Sequence, residues 1–201
     1  MPKSYSEKER TLITDALKAA AFKSMIESGI KKTTIDDLVE KVKIPKGTFY
    51  LFYKSKEALL FEAIMQKEEE LHTLMATRIE NIKEDFSISS LTDLLYDFFV
   101  MGFSMGILPI MLSGELDILI RRLPDDVVAQ SISKDNDFAG VLQGLFPKIN
   151  DSELNVFSSA FRALFFTASY KREIGEYEEA LKLLIKGIVM QMWEAKNDKY
   201  Q

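Results

Sequence analysis

Apolar residues recur at intervals of three and four along nearly the whole 201-residue chain, and no stretch sustains an apolar/polar alternation. Positions three and four apart share one face of a helix, whereas a half-buried strand needs a period of two, so the pattern predicts an all-α fold. Helix-ending residues divide the chain. The first helix is expected from Ser6 to Ser28, with Leu17, Ala20, Ala21 and Met25 inward. Thr33 or Thr34 supplies a hydroxyl cap for a second, ending near Val42, and Pro45 opens a short third element reaching Phe52. Ser55 caps a long helix to about Lys83, whose inward stripe is Leu60, Ile64, Leu71, Met75, Ile79 and Ile82. Further helices are expected near 90–108 and 109–123, in short segments between Asp126 and Phe146, and as a final pair near 152–174 and 177–197, about nine in total. Pro109, Pro124, the Lys134 to Asp137 cluster and Pro147 mark the breaks.

Composition removes whole classes of chemistry. The chain has no cysteine and one histidine, His72, which excludes disulfide scaffolds, thiolate metal sites and multi-imidazole zinc centres. His72 lies among Glu68, Glu69 and Glu70 and reads as a surface residue. The carboxylate pairs Asp36/Asp37 and Asp125/Asp126 are adjacent in sequence, so on a helix they point different ways and form no acid/base pair. No enzyme, cofactor or metal site is therefore expected. The amino terminus is polar, without the apolar core of a secretory signal, so a cytoplasmic protein is expected. The longest uncharged run, Phe98 to Gly114, has seventeen residues and contains Pro109 and two internal glycines. That is short for a bilayer span, and it reads as buried core.

Charge is unevenly placed. The chain carries −5 overall, but residues 1–56 hold twelve Lys or Arg against seven Asp or Glu, a balance of +5, and the remainder carries −10. Lys41 to Lys56 contains five lysines and no acid in sixteen residues. A short helix following a four-residue turn lies inside this window, and with the preceding helix it makes a helix-turn-helix arrangement at about 33–52. Ile35, Leu38 and Val39 with Val42, Ile44 and Phe49 supply the seam between the two helices, which frees the outward positions for a duplex. A positive, narrow element suits the phosphate-rimmed major groove.

The run Thr34-Ile35-Asp36-Asp37-Leu38-Val39, followed by Ile44-Pro45-Lys46-Gly47-Thr48-Phe49-Tyr50-Leu51-Phe52-Tyr53-Lys54-Ser55-Lys56-Glu57-Ala58-Leu59-Leu60, resembles the signature of the tetracycline-repressor (TetR) family of bacterial transcription regulators. The resemblance is motif-level from about Leu17 to Leu60 and architectural beyond. It implies that Thr34 caps a helix and touches phosphate, and that Lys46 reaches the backbone or a base edge. It also implies that Gly47 permits close approach, that Thr48 and Leu51 face the groove floor, and that the Tyr50 hydroxyl meets a phosphate. Lys54 and Lys56 fall where a phosphate would meet the amino end of the next helix. Phe49 and Phe52 are assigned to packing. Two positions depart from the pattern: Lys43 stands where the turn usually has glycine, and Leu51 where many relatives have histidine.

The remaining residues offer two features. Phe98, Phe99, Met101, Phe103, Met105, Met111, Phe161, Phe165 and Phe166, with Arg162 and Glu115 as nearby charges, either line an apolar cavity or fill a solid core. The resemblance favours a pocket for a small apolar or amphipathic effector. In the last helix Leu181, Leu184, Ile188 and Met192 make one stripe and Ile185, Val189 and Trp193 an adjacent second. One is expected to pack internally and the other against a twin subunit, with Phe157, Leu164, Ile185, Val189 and Trp193 as interface candidates.

The expectation is thus a DNA-binding domain at 1–55 and a helical ligand-binding and dimerisation domain at 56–201. Such a protein would be a homodimeric repressor, bound to a palindromic double-stranded operator and released by its ligand. A helical carrier of lipids or small molecules is the rival reading, separable by the salt dependence of duplex binding.

Overall fold

Helix starts in this chain follow from side chains that replace the backbone partners a first turn lacks. Ser6 and Asn150 each close a reciprocal capping box, with Glu9 and Glu153 respectively, while Thr34 accepts from the Asp37 amide and Ser55 from the Ala58 amide. The computed structural model describes residues 5–84, 86–124, 127, 146 and 149–197. Among these there is no strand. The α-helices are α1 (Glu7–Ser28), α2 (Ile35–Val42), α3 (Lys46–Phe49), α4 (Lys56–Glu84), α5 (Ile88–Ser104), α6 (Ile107–Leu112), α7 (Glu115–Ile120), α8 (Asp151–Thr167) and α9 (Tyr177–Asn197), with a 3-10 turn at Ala168–Tyr170. The all-α architecture read from periodicity is the one found. The short helices expected between Asp126 and Phe146 lie outside the described residues.

The chain divides into two compact units, Met1–Glu69 with Met105–Ala129 and Glu70–Ser104 with Gln130–Gln201. In the first, α1 packs on α2 and on α6, α2 on α3, and α6 on α7. Its core is Leu17, Ala21, Phe22 and Met25 of α1, Leu38 and Val39 of α2, Phe49 of α3, and Leu59, Leu60 and Ile64 of α4, all buried. In the second, α5 and α8 both pack on α9, around Leu91, Leu95, Phe99, Phe161, Leu181, Ile185, Val189 and Met192. Aromatic contacts knit this core: Phe86 stacks on Trp193 with centroids 5.0 Å apart, and Phe99 meets Phe165 at 5.2 Å.

Four points of the chain differ from the periodicity reading. The helix expected to continue to Leu108 ends at Ser104, and the next begins after Gly106, which has φ +80°. The left-handed backbone at Gly106 favours glycine, and a Cβ there would also come within 2.4 Å of Ile26 Cδ1, so the tip of that exposed side chain would have to shift. Pro109, expected as a break, instead sits in the first turn of α6, where its missing N–H has no partner to lose. The expected helix 109–123 is interrupted at Gly114, with φ +68°. Finally, α8 ends at Thr167, and the chain passes through the 3-10 turn to reverse at Glu176, φ +49°. Among the described residues no helix is long and apolar enough to cross a membrane.

Candidate nucleic-acid interface

The reading element is made by three short-range devices. Thr34 caps α2 through a hydroxyl 3.2 Å from the Asp37 amide. At the other end Lys43 adopts the left-handed conformation, φ 59° and ψ 44°, and its N–H returns to the Glu40 and Val39 carbonyls. The turn shape that glycine usually makes is therefore kept despite a side chain. Pro45 precedes α3 with its φ preset at −62°, and Thr48 N–H donates to the Pro45 carbonyl at 2.8 Å. Leu38 and Phe49 are fully buried and Val39 nearly so, fixing α2 against α3.

This geometry sorts the expected contact residues. Tyr50 and Leu51 project outward, 54% and 50% exposed. Gly47 is exposed, its φ is not positive, and an added Cβ would meet nothing within 4 Å. Nothing inside the molecule requires glycine there. Lys46 is exposed and its Nζ donates to Asp36 at 2.9 Å; that hydrogen bond and the carboxylate's charge raise the ammonium above its ordinary value. Lys54 is exposed as well. Thr48, expected at the groove floor, is only 9% exposed, because the side chain lies on the inner side of a helix too short to present more than one face outward. Lys56, expected beside a phosphate, turns inward: its Nζ donates to the Thr33 carbonyl at 2.9 Å and the Ile30 carbonyl at 3.5 Å. Carbonyls just beyond the end of α1 attract a cation, and Lys56 meets them from the start of α4. Phe49 is buried and Phe52 half-buried, as their packing assignment requires.

Sequence reasoning missed two long-range braces of this unit. The Glu115 carboxylate accepts from the Lys31 amide at 3.1 Å, and Arg122 pairs with Glu57 at 3.5 Å, so α7 and the residues after it hold both the α1–α2 turn and the first turn of α4. Glu115, expected as a charge near the pocket candidates, serves this brace. Local patterns carry no signal for contacts 84 residues apart.

Residues 17–63 match the family described as bacterial regulatory proteins, tetR family. Residues 17–63 thus carry a TetR-type segment. Over 77 residues the chain is 38% identical to YuxN of Bacillus subtilis (strain 168), an uncharacterized HTH-type transcriptional regulator, covering 38% of this chain and 23% of YuxN. The matched stretch spans about a quarter of the length of the curated relatives. The fold of the whole chain is similar to that of a TetR-family transcriptional regulator from Mesorhizobium loti MAFF303099, with 16% identity, TM-score 0.66, and coverage of 92% of this chain and 97% of that one. It is also similar to Thermus thermophilus FadR, a TetR-family repressor solved with lauroyl-CoA, at 16% identity and TM-score 0.53, covering 90% and 94% of the two chains.

The other candidate residues are distributed as follows. Phe99 and Phe161 are buried, and Phe98, Met101, Phe103 and Phe165 half-buried, all in the second unit. Arg162 and Phe166 of the same unit are exposed. Met105 and Met111 belong to the first unit. Met105 lines an open groove of about 410 Å³ with Phe22 and Ile26. Of the interface candidates, Ile185 and Val189 are 1% and 0% exposed and Leu164 is buried, with Phe157 and Trp193 half-buried. Leu164, Ile185 and Val189 pack inside the unit. The exposed apolar side chains are instead Leu183 (71%), Leu184 (51%) and Met190 on α9 and Val156 and Phe166 on α8. A 3.6-residue period puts 181, 185, 189 and 192 on one face, and that face meets α5 and α8, so the outward stripe is offset from the one expected.

Proposed function

We propose that this protein is a ligand-responsive transcriptional regulator in which residues 1–55 bind DNA and 56–201 bind effector and partner subunit. It acts as a cytoplasmic repressor, bound to a palindromic operator as a homodimer. The observation that carries the reading is the outward face of the α3 region. Within a sixteen-residue window lacking acids, Tyr50 and Leu51 stand exposed, Lys46 and Lys54 flank them, and Gly47 leaves the backbone open to close approach. A tyrosine hydroxyl and lysine ammoniums suit phosphates, and an aliphatic side chain suits a thymine methyl. Leu183, Leu184 and Met190 with Val156 and Phe166 supply an apolar surface for a twin subunit, which a two-fold operator needs.

The effector is a small apolar or amphipathic molecule. Phe99, Phe161 and Phe165, with Arg162 nearby in sequence, support that class, as does the acyl thioester found in the Thermus thermophilus repressor. Release follows if the effector prefers the state in which α4 separates the reading heads. The test is selection of duplexes from a random library by purified protein, then titration of the selected duplex with fatty acyl thioesters. The reading expects an enriched sequence with inverted repeats and its release by acyl thioester. No enrichment would end the DNA reading, and enrichment with no release by any apolar compound would end the effector reading.

A further inference from the structure

A four-residue helix makes too few internal hydrogen bonds to hold its own shape, so the element carrying Tyr50 and Leu51 needs restraint from outside. Beyond Phe49 the backbone bonds run from Leu51 N–H to Thr48 and from Phe52 and Tyr53 N–H to Phe49, and none of them uses the Leu51 carbonyl, which is open to another donor. We propose that Arg10, in the first turns of α1, is the residue that positions this element for the duplex; the inference rests on the DNA-binding reading above. Its guanidinium donates to the Leu51 carbonyl at 3.3 Å across 41 residues of sequence. The same group lies 5.0 Å from the centroid of the Phe52 ring, which Tyr5 also meets at 5.9 Å.

An arginine fits this task because one planar group stacks on a ring and still directs donors at a carbonyl. The base from which it reaches is fixed. Arg10 N–H donates to the carbonyl of Ser6, the residue of the capping box, and further along the same helix Leu17, Ala21, Phe22 and Met25 bury α1 in the core. Fixing the Leu51 carbonyl and the Phe52 ring fixes the backbone from which Tyr50 and Leu51 project. Arg10 precedes residues 17–63, so the family match says nothing of it.

The experiment compares wild type, Arg10→Ala and Arg10→Lys on a duplex selected by the wild-type protein. It records affinity over a rising salt series, amide hydrogen exchange at 51–53, and melting temperature. Arg10→Ala is expected to lose about tenfold in affinity at every salt concentration, the loss of one charge-assisted hydrogen bond. Its salt slope stays parallel to wild type, exchange at 51–53 quickens and melting is unchanged, and Arg10→Lys falls between. Unchanged affinity, unchanged exchange, or lower melting with faster exchange throughout the first unit would overturn the proposal. A slope reduced by about one would also overturn it, because Arg10 would then be a phosphate contact itself. If wild type selects no duplex, the DNA reading fails separately, and exchange at 51–53 alone decides whether Arg10 holds the turn.

Discussion

Lys46 and Asp36 set the charge of the reading face. Their 2.9 Å pair is exposed, so it adds little stability, and its consequence lies in binding. The raised ammonium stays protonated below its ordinary value of 10.5 in folded and unfolded chains alike, so the pair's contribution is lost only as pH rises above that. A phosphate must compete with Asp36 for Lys46. Lys46→Ala is expected to weaken duplex binding by roughly tenfold with its salt slope reduced by about one, and Asp36→Asn to strengthen binding, both read by gel-shift titration. Tyr53 offers a stability counterpart: its hydroxyl is buried without a hydrogen-bond partner among the described residues, and burial, reinforced by Glu62, raises its pKa from 10.0. Stability from this group is full below pH 10 and falls as pH rises beyond it, because the unfolded phenol ionises first. Tyr53→Phe should melt no lower than wild type at neutral pH and lose less stability above pH 10, as thermal melts would record. The Thr34 cap and the left-handed turn at Lys43 were legible in the sequence, since local cap and turn chemistry decides them. The sequence did not reveal that Lys56 points inward, because the carbonyls it meets belong to a turn more than twenty residues away.

Elements show the same division between local and distant causes. The period of apolar residues located α1, α2, α4 and α9 closely, whereas the uncharged run 98–114 gave no contrast from which to read its breaks at Gly106 and Gly114. Two glycine substitutions separate internal from external demands. Gly106→Ala should destabilise the protein by about 1–2 kcal/mol in urea titrations through its left-handed backbone and the nearby Ile26. Gly47→Ala should leave stability equal or higher by about 0.5–1 kcal/mol, since alanine favours a helix, and yet weaken duplex binding. Equal binding by Gly47→Ala would mean that no close approach occurs there. On α9, the period showed two apolar stripes, but the inward face takes Leu181 and Met192 from one and Ile185 and Val189 from the other, a choice made by α5 and α8. Leu184→Glu on the exposed stripe should shift the protein toward monomer in light scattering without unfolding it. Ile185→Ala on the buried one should cost about 2–5 kcal/mol in denaturant.

Across the whole molecule, charge and packing divide along different lines. The positive balance of residues 1–56 sits at one end of the sequence, while the first compact unit also takes in Met105–Ala129. Through Glu115 and Arg122, that later segment braces the α1–α2 turn and the start of α4. Everything proposed for effector and partner depends on the reading face binding DNA, and salt tests that most directly. The measurement is the affinity of purified protein for its selected duplex against salt concentration on logarithmic axes. The account predicts a straight, steep fall, with a slope of about −0.9 for each phosphate neutralised, several being engaged by two reading heads. An affinity that does not change with salt, or no affinity for any duplex, would contradict it.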